Sequence, residues 1–225
     1  MKKENLKFLR ASICLLAAFV LWTIAVRFFD VQAIGPQGSQ VGFATINGAV
    51  RDFVGSNMSL YVLTDWLGLV PILFALGFAI LGAVQWIKRK RILMVDRDIL
   101  ALGVFYLSVM VAYVLFEELA INYRPVLIEG ILEVSYPSST TLLATCVMPT
   151  AATVLKRRMR NPILKRFTVC AIYAFTAFMV VGRIISGVHW LSDIIGGILL
   201  SLGLIFAFES IPQSVDMPNS TLHVC

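Results

Sequence analysis

Six apolar stretches, each close to the length needed to cross a bilayer, divide this chain almost from end to end. A helix that spans the hydrocarbon core needs about 20 predominantly apolar residues. We therefore predict an all-α fold, a bundle of six transmembrane helices that forms a single domain over residues 1–211. The six predicted spans are 8–29, 59–87, 98–121, 138–155, 167–186 and 190–210.

The overall composition supports a membrane location. Hydrophobic residues make up 59% of the 225-residue chain and charged residues only 14%, whereas a soluble domain is about half apolar. The net charge of +6 does not indicate a nucleic-acid partner, because the basic residues lie in short clusters between the apolar stretches. The sequence therefore predicts an integral membrane protein that binds no nucleic acid.

Lysine and arginine residues predict the orientation in the membrane. Fifteen of the nineteen fall before the first span, between the second and third, or between the fourth and fifth, which are all on one side. Basic loops remain cytoplasmic. We therefore predict a multi-pass protein of the plasma or inner membrane with both termini inside and a cytoplasmic tail at 212–225. The other four basic residues, on the opposite side, are Arg27, Arg51, Arg124 and Arg183.

The longest interruption between spans, residues 30–58, is predicted to be an extracytoplasmic linker. Its apolar residues recur at helical spacing, which predicts either a helix lying along the membrane surface or an ordinary helix packed on the bundle. Both interpretations fit the pattern. The residues concerned are Phe43, Ile46, Val50, Phe53 and Val54.

The cysteines predict neither a metal site nor a disulfide bond. They show no metal-binding or redox spacing, and three of them fall inside apolar stretches, where a thiol behaves as a small hydrophobic group. We therefore predict no metal and no cofactor. The four are Cys14, Cys146, Cys170 and Cys225.

A cluster of ionisable residues lies where the fifth span gives way to the sixth. Arg183, His189 and Asp193 follow the spacing R-x5-H-x3-D, and polar groups at the mouth of a membrane span usually mark a site. On a helix, His189 and Asp193 would share one face, so that the carboxylate accepts the Nδ1 proton and leaves Nε2 free to attack. Arg183 would hold an anion against that nitrogen. This spacing indicates phosphate chemistry.

Other polar residues are predicted to meet this cluster at the same membrane face. Arg124 follows the third span, and Ser138 and Ser139 open the fourth. Under the predicted topology all of them reach the outer leaflet together with Arg183 and His189. Residues far apart in the sequence would therefore form one site.

At these residues the chain resembles the type 2 phosphatidic acid phosphatase family, six-helix enzymes that remove phosphate from membrane lipids without a metal. The family motifs are K-x6-R-P, P-S-G-H and S-R-x5-H-x3-D. This sequence has EELAINYRP at 117–125, PSST at 137–140 and GRIISGVHWLSD at 182–193. The resemblance extends from about residue 98 onward and implies a six-helix bundle of the same kind.

The resemblance also implies a role for each matching residue. His189 matches the nucleophile that takes the phosphoryl group as a phosphohistidine, and Asp193 matches the carboxylate that orients it. Arg124 and Arg183 match the arginines that bind the phosphate, through planar bidentate donors. Ser138 and Ser139 fall where the family uses a hydroxyl and backbone amides at a helix start.

Two positions depart from the family pattern and are accessory candidates. Glu117 replaces the lysine of the first motif, and Thr140 replaces the histidine of the second, which is the family's general acid. A threonine hydroxyl is too weak an acid for that role. A lipid alkoxide needs the missing proton more than a lipid monophosphate leaving group does. The substitution therefore favours a lipid diphosphate, such as a polyprenyl diphosphate, unless Glu117, Glu118 or a water supplies the proton.

Three functions are consistent with these residues. The first is a phosphatase that hydrolyses a lipid monophosphate or, as favoured, a polyprenyl diphosphate such as undecaprenyl diphosphate, with its substrate in the outer leaflet. The second is a phosphotransferase on the same fold. The third is a non-catalytic, degenerate member that binds lipid phosphate. A transporter is disfavoured, because charged residues deep in the bilayer and internal repeats are not evident. No feature of the sequence indicates the oligomeric state.

Overall fold

The computed structural model describes residues 3–211, and within this range it consists of helices joined by loops, without extended strands. The predicted tail at 212–225 lies outside the described residues. The helices are α1 (Lys3–Phe28), α2 (Ala44–Val54), α3 (Met58–Leu67), α4 (Leu69–Arg89), α5 (Arg97–Leu119), α6 (Ser139–Arg158), α7 (Pro162–Ile185) and α8 (Leu191–Ser210).

The predicted membrane fold is confirmed. In the described part of the chain, five helical segments are long and apolar enough to cross a membrane. Their outward faces carry large apolar side chains, as expected of helices that contact lipid rather than water. The five segments are Lys3–Phe28, Met58–Arg89, Arg97–Leu119, Pro162–Ile185 and Leu191–Ser210.

The predicted fourth span forms α6, but α6 is too polar to be counted among these five segments. It lies at the centre of the bundle, with α4, α5, α7 and α8 packed around it, so most of its surface contacts protein rather than lipid. Its threonine hydroxyls bond to carbonyls one turn earlier, as Thr150 does to Cys146 at 2.7 Å. Such bonds satisfy a hydroxyl inside a helix bundle. A hydropathy threshold alone therefore fails to identify this central helix as part of the membrane bundle.

The predicted second span is two helices, α3 and α4, which meet at Gly68. A side chain at Gly68 would lie 2.8 Å from the carbonyl oxygen of Asp65 and 3.6 Å from Thr140, so only glycine fits this close approach. On the N-terminal side of Gly68 α3 packs on α7, whereas on the C-terminal side α4 packs on α5 and α6. The α3 part of the span therefore packs against the end of α7 that carries Arg183.

The linker contains the helix that its periodicity predicts, α2, with its apolar residues divided between two environments. Phe43 stacks on Trp22 of α1 with ring centroids 4.8 Å apart, whereas Ile46 and Phe53 are exposed. The buried residue Asn47 accepts a hydrogen bond from the backbone amide of residue 192 in α8 at 3.1 Å. The helix is therefore anchored to the bundle on one face and exposes apolar side chains on the other.

The end of the bundle opposite the arginine–histidine cluster is held by an ion-pair network. Asp98 is fully buried and accepts from Arg158 of α6 at 2.6 Å. Arg158 also reaches Asp96 at 2.9 Å, and Asp96 pairs with Arg89 at 2.8 Å. Because a buried carboxylate is costly unless it is paired, these contacts fix the C-terminal ends of α4 and α6 against the start of α5.

Candidate active site

His189 lies in the short loop between α7 and α8 with its ring almost fully buried. Its Nδ1 atom is 3.2 Å from the carbonyl oxygen of Ser135. A carbonyl can only accept a hydrogen bond, so Nδ1 carries the hydrogen and Nε2 carries the lone pair. Within residues 3–211, Nε2 has no hydrogen-bond partner, and the ring lines a cavity of about 230 Å³. The reactive nitrogen therefore faces an enclosed space.

The surroundings of His189 favour the neutral imidazole. Burial and, to a smaller extent, the nearby Arg124 and Arg183 lower the pKa of His189 from 6.5 to about 4, although Asp193 opposes the shift. Desolvation and like charge both disfavour the imidazolium. At neutral pH the ring is therefore unprotonated at Nε2, so this nitrogen keeps its lone pair.

Asp193 lies beside His189, but it does not form the direct hydrogen bond that the i,i+4 spacing predicts. The distance from Asp193 Oδ2 to His189 Nδ1 is 3.8 Å, longer than a hydrogen bond, and the carbonyl of Ser135 takes the proton instead. Asp193 Oδ2 accepts from the backbone amide of Trp190 at 3.0 Å. His189 precedes α8 rather than lying on it, so the helical register does not apply. Asp193 caps α8 and contributes a nearby negative charge.

Asn122 holds the other carboxylate oxygen of Asp193, and the family motifs do not identify it. Its buried side chain donates to Asp193 Oδ1 at 3.1 Å. Its own backbone oxygen accepts from the amide of Ser135 at 2.9 Å. Asn122 therefore joins three parts of the site, namely the loop before Arg124, the loop that bonds His189, and the start of α8. Its position inside the first motif region is the only signal in the sequence.

We expect Asn122→Ala to lower the free energy of unfolding by about 1–3 kcal/mol, because a buried carboxylate loses a donor. It should also lower kcat/KM for phosphate release by about 10- to 100-fold through misplacement of the loop. Asn122→Asp should do more damage at neutral pH, since a second carboxylate would face Asp193.

Asn161→Ala is the matched control for Asn122→Ala. Asn161 caps α7 at the opposite end of the bundle, accepting from the amide of Ile163 at 3.0 Å, and loss of a cap costs about 1 kcal/mol. Thermal unfolding and kinetics of the two variants separate stability from positioning. Equal activity in both would contradict a positioning role for Asn122.

Arg183 is almost completely buried at the end of α7 and has three side-chain partners. Its guanidinium donates to Thr64 Oγ1 at 3.3 Å and to Asp65 Oδ1 at 3.2 Å, both on α3. It also donates to the hydroxyl of Thr140. The ring of Tyr61 lies 5.1 Å from the guanidinium carbon. These contacts hold Arg183 in one orientation.

Arg124 lines the same cavity as His189. Its Nε atom is 2.9 Å from Glu133 Oε2, and its guanidinium carbon is 5.7 Å from the Tyr61 ring. Tyr61 therefore contacts both arginines, and a cation over an aromatic face is attracted to it. Asp65 and Glu133 each neutralise one arginine, so an incoming phosphate would compete with a carboxylate at each.

Ser138 and Ser139 lie at the start of α6, as predicted. Ser138 Oγ caps the helix by accepting from the amide of Thr141 at 3.4 Å, and the Ser138 amide donates to the carbonyl oxygen of Asp193 at 3.2 Å. Ser139 lines the cavity together with His189. The helix start therefore presents its N-terminal amides beside the histidine, which is a geometry suited to an anion.

The two accessory candidates fall in different places. Glu117 is exposed and lines the cavity together with His189 and Arg124. Thr140 is buried against Arg183 and does not line that cavity. The hydroxyl that replaces the expected histidine therefore acts as a hydrogen-bond partner of an arginine.

An apolar groove begins beside this cavity and runs between α4 and α5. Its upper part, about 470 Å³, is lined by Ser139 and Thr140 as well as by apolar residues. Its lower part, about 680 Å³, ends near Trp86. The two parts share Ile72 and Tyr106, so they form one groove. A long apolar chain could lie there with a polar head at the histidine.

Together the helical membrane fold and this cavity define a membrane protein with a histidine–arginine site at one end of the bundle. Residues 108–215, which contain all three motif regions, match the family model described as the PAP2 superfamily. The match confirms, for this part of the chain, the family that the motifs predict.

A solved structure supports this assignment at the level of fold. The chain is similar to the crystal structure of the first transmembrane PAP2-type phosphatidylglycerolphosphate phosphatase from Bacillus subtilis, with a TM-score of 0.62 and 19% sequence identity. The match covers 88% of this chain and 94% of that chain. No curated protein sequence matches the chain significantly.

Proposed function

We propose that this protein is a lipid phosphatase that works through a phosphohistidine. His189 Nε2 attacks phosphorus, the bond from phosphorus to the leaving oxygen breaks, and the electron pair of that bond departs with the leaving group. Water then attacks the phosphohistidine and releases inorganic phosphate. The observation that carries this proposal is the buried Nε2 without a partner in the described chain, in a cavity shared with Arg124.

Charge stabilisation in this reaction would come from the two arginines and from the helix start. Arg124 and Arg183 neutralise the equatorial phosphate oxygens, displacing Glu133 and Asp65 from them, and the N-terminal amides of α6 add further donors. The neutral imidazole at physiological pH keeps the nucleophile ready. Asp193 offsets the positive charge that develops on the ring when it takes the phosphoryl group.

The substrate we propose is a lipid phosphate with its head at the outer leaflet. The groove between α4 and α5 can receive an apolar chain, since its walls are almost wholly apolar side chains. The uneven distribution of lysine and arginine residues supports an extracytoplasmic site. Both features fit a membrane lipid better than a soluble phosphate ester.

Within that class we favour a lipid diphosphate. Thr140 cannot protonate a leaving alkoxide, and its hydroxyl is engaged with Arg183. A departing lipid monophosphate is a much weaker base than an alkoxide and needs that proton far less. Glu117, which lines the cavity, is the candidate donor where a proton is required.

The direct test is phosphate release by the purified protein in the presence of a chelator, with a polyprenyl diphosphate and a lipid monophosphate supplied separately. We expect release from the diphosphate at the higher rate. Release from neither would contradict the proposal. Radiolabel that moves into a second lipid instead of free phosphate would identify a phosphotransferase.

Thr140→His tests the leaving-group argument. Restoring an imidazole acid should raise the rate on the monophosphate by about 10²-fold or more, because a general acid contributes about 10²- to 10⁴-fold, and should change the diphosphate rate much less. Thr140→Ala is the control, because it removes the bond to Arg183 without adding an acid. Equal gains on both substrates, or none on either, would contradict the argument.

A further inference from the structure

A cationic cleft lies at the end of the bundle opposite His189. Lys156 and Arg157 at the C-terminal end of α6 and Lys165 near the start of α7 line it, together with Tyr173 and Glu209. Its volume is about 430 Å³. These residues are separate from the catalytic cavity, because α6 and α7 carry Ser139 and Arg183 at their other ends.

The cleft exists because α7 and α8 both pack on α6 but scarcely contact each other. The space left between them has an apolar floor that includes Ala152 and Val169. Behind this floor Ala152 belongs to a small buried cluster with Met148 and Ile172. The cleft is therefore open to one side between two membrane-crossing helices, with cations at its rim and apolar groups beneath.

The charges in the cleft do not balance. Arg157 lies 3.6 Å from Glu209, the one carboxylate among the described residues that line the cleft. In the described part of the chain, Lys156 and Lys165 form no ion pair. The neighbouring Arg158 turns the other way, to Asp98 and Asp96. Among the described residues, Lys156 and Lys165 are therefore cations of the cleft without a carboxylate partner.

We propose that the cationic cleft binds the phosphate headgroup of an anionic phospholipid. Basic pockets between membrane-crossing helices suit such headgroups, each nearby lysine or arginine contributing about a fivefold gain in affinity. The apolar floor and the half-exposed ring of Tyr173 would contact the glycerol and upper acyl chains, which free phosphate lacks. This binding is independent of the catalytic proposal.

A lipid bound here would bridge two helices that also carry site residues. Its phosphate would contact Lys156 on α6 and Lys165 on α7, and its chains would lie between α7 and α8. A ligand that binds only the folded state stabilises it. We therefore expect anionic lipid to raise the melting temperature of the protein as well as to bind.

The test is equilibrium binding of fluorescent phosphatidylglycerol to the purified full chain in neutral detergent, with phosphatidylcholine for comparison. We expect the double variant Lys156→Gln and Lys165→Gln to bind phosphatidylglycerol about 30-fold more weakly. The matched double variant Lys88→Gln and Lys90→Gln, which removes the same charge from the end of α4, should bind as the native chain does. Glu209→Gln should bind several-fold more tightly, because it removes the competing carboxylate.

Four results would overturn the proposal. The first is binding of phosphatidylcholine as tight as that of phosphatidylglycerol, and the second is a loss of affinity in the Lys88→Gln and Lys90→Gln variant equal to that in the cleft variant. The third is displacement of the fluorescent lipid by millimolar inorganic phosphate as effective as displacement by unlabelled phosphatidylglycerol. The fourth is binding that appears only when the chain ends at Ile211, which would assign the cleft to residues 212–225. Opposite shifts in the lysine and glutamate variants, with the control unchanged, would support it.

Discussion

His189→Ala should lower kcat for phosphate release by about 10⁴-fold or more, because loss of a nucleophile removes the covalent route altogether. The imidazole Nδ1 donates to a single backbone carbonyl, that of Ser135, and Nε2 has no hydrogen-bond partner in the described chain. The substitution therefore breaks one hydrogen bond. We expect the variant to keep its fold and its ability to bind the lipid.

His223→Ala is the control, since these are the chain's two histidines. The native protein is incubated with radiolabelled substrate and the reaction is then quenched. Acid-labile, base-stable label on the protein would identify the phosphohistidine. This label should persist in His223→Ala and vanish in His189→Ala. Full activity in His189→Ala would refute the mechanism. Lipid phosphate binding without turnover in the native protein would instead identify a binding member of the family.

Arg183→Lys should lower kcat/KM by about 10²- to 10³-fold, the cost of removing one preorganised donor from a charge-stabilising site. The guanidinium contacts Thr64, Asp65 and Thr140 at once. A lysine ammonium is a compact charge that cannot reproduce this planar geometry. Most of the loss should come from kcat, because the contacts that orient the arginine matter most when charge develops on phosphate.

Arg27→Lys is the matched control for Arg183→Lys. Arg27 lies in the last turn of α1 and is exposed, so the same exchange there should leave the kinetics unchanged. Because Arg183 is buried, thermal unfolding must accompany the kinetics. If both substitutions give native kcat/KM with native melting temperatures, Arg183 does not bind the transferred phosphate.

The membrane fold follows from the sequence because burial in lipid is a property of each segment by itself. A stretch of about 20 apolar residues crosses a bilayer largely regardless of its neighbours. Hydropathy therefore identifies α1, α5, α7 and α8 with small errors at their ends. The apolar pattern also predicts α6 as the fourth span, although α6 is less apolar than the others because it faces other helices and can carry threonines such as Thr145 and Thr150. The pattern misses the division of the second span at Gly68.

The motif residues were predictable for a related reason. Arg183, His189 and Asp193 lie within eleven residues of one another, so their spacing alone places them at one membrane face. Arg124 and the start of α6 could be added once the spans had been counted. The chemistry of these residue types indicates phosphate before any contact is known.

The environment of each of these groups is decided by the tertiary structure. Tyr61 and Asp65 reach the arginines because α3 packs on α7. Asn122 reaches Asp193 across 71 residues of sequence. Such contacts depend on how helices pack, which no local pattern encodes.

The clustering of Arg183, His189 and Asp193 and the membrane-spanning character of the fold were thus determined by the sequence alone, through short-range spacing and hydropathy. The tertiary structure decided which atoms complete the site. In that structure His189 Nδ1 donates its hydrogen bond to the carbonyl of Ser135 rather than to Asp193, and the hydroxyl of Thr140 accepts from Arg183. The physical reason is that hydrogen bonds act over about 3 Å, and only packing sets distances on that scale.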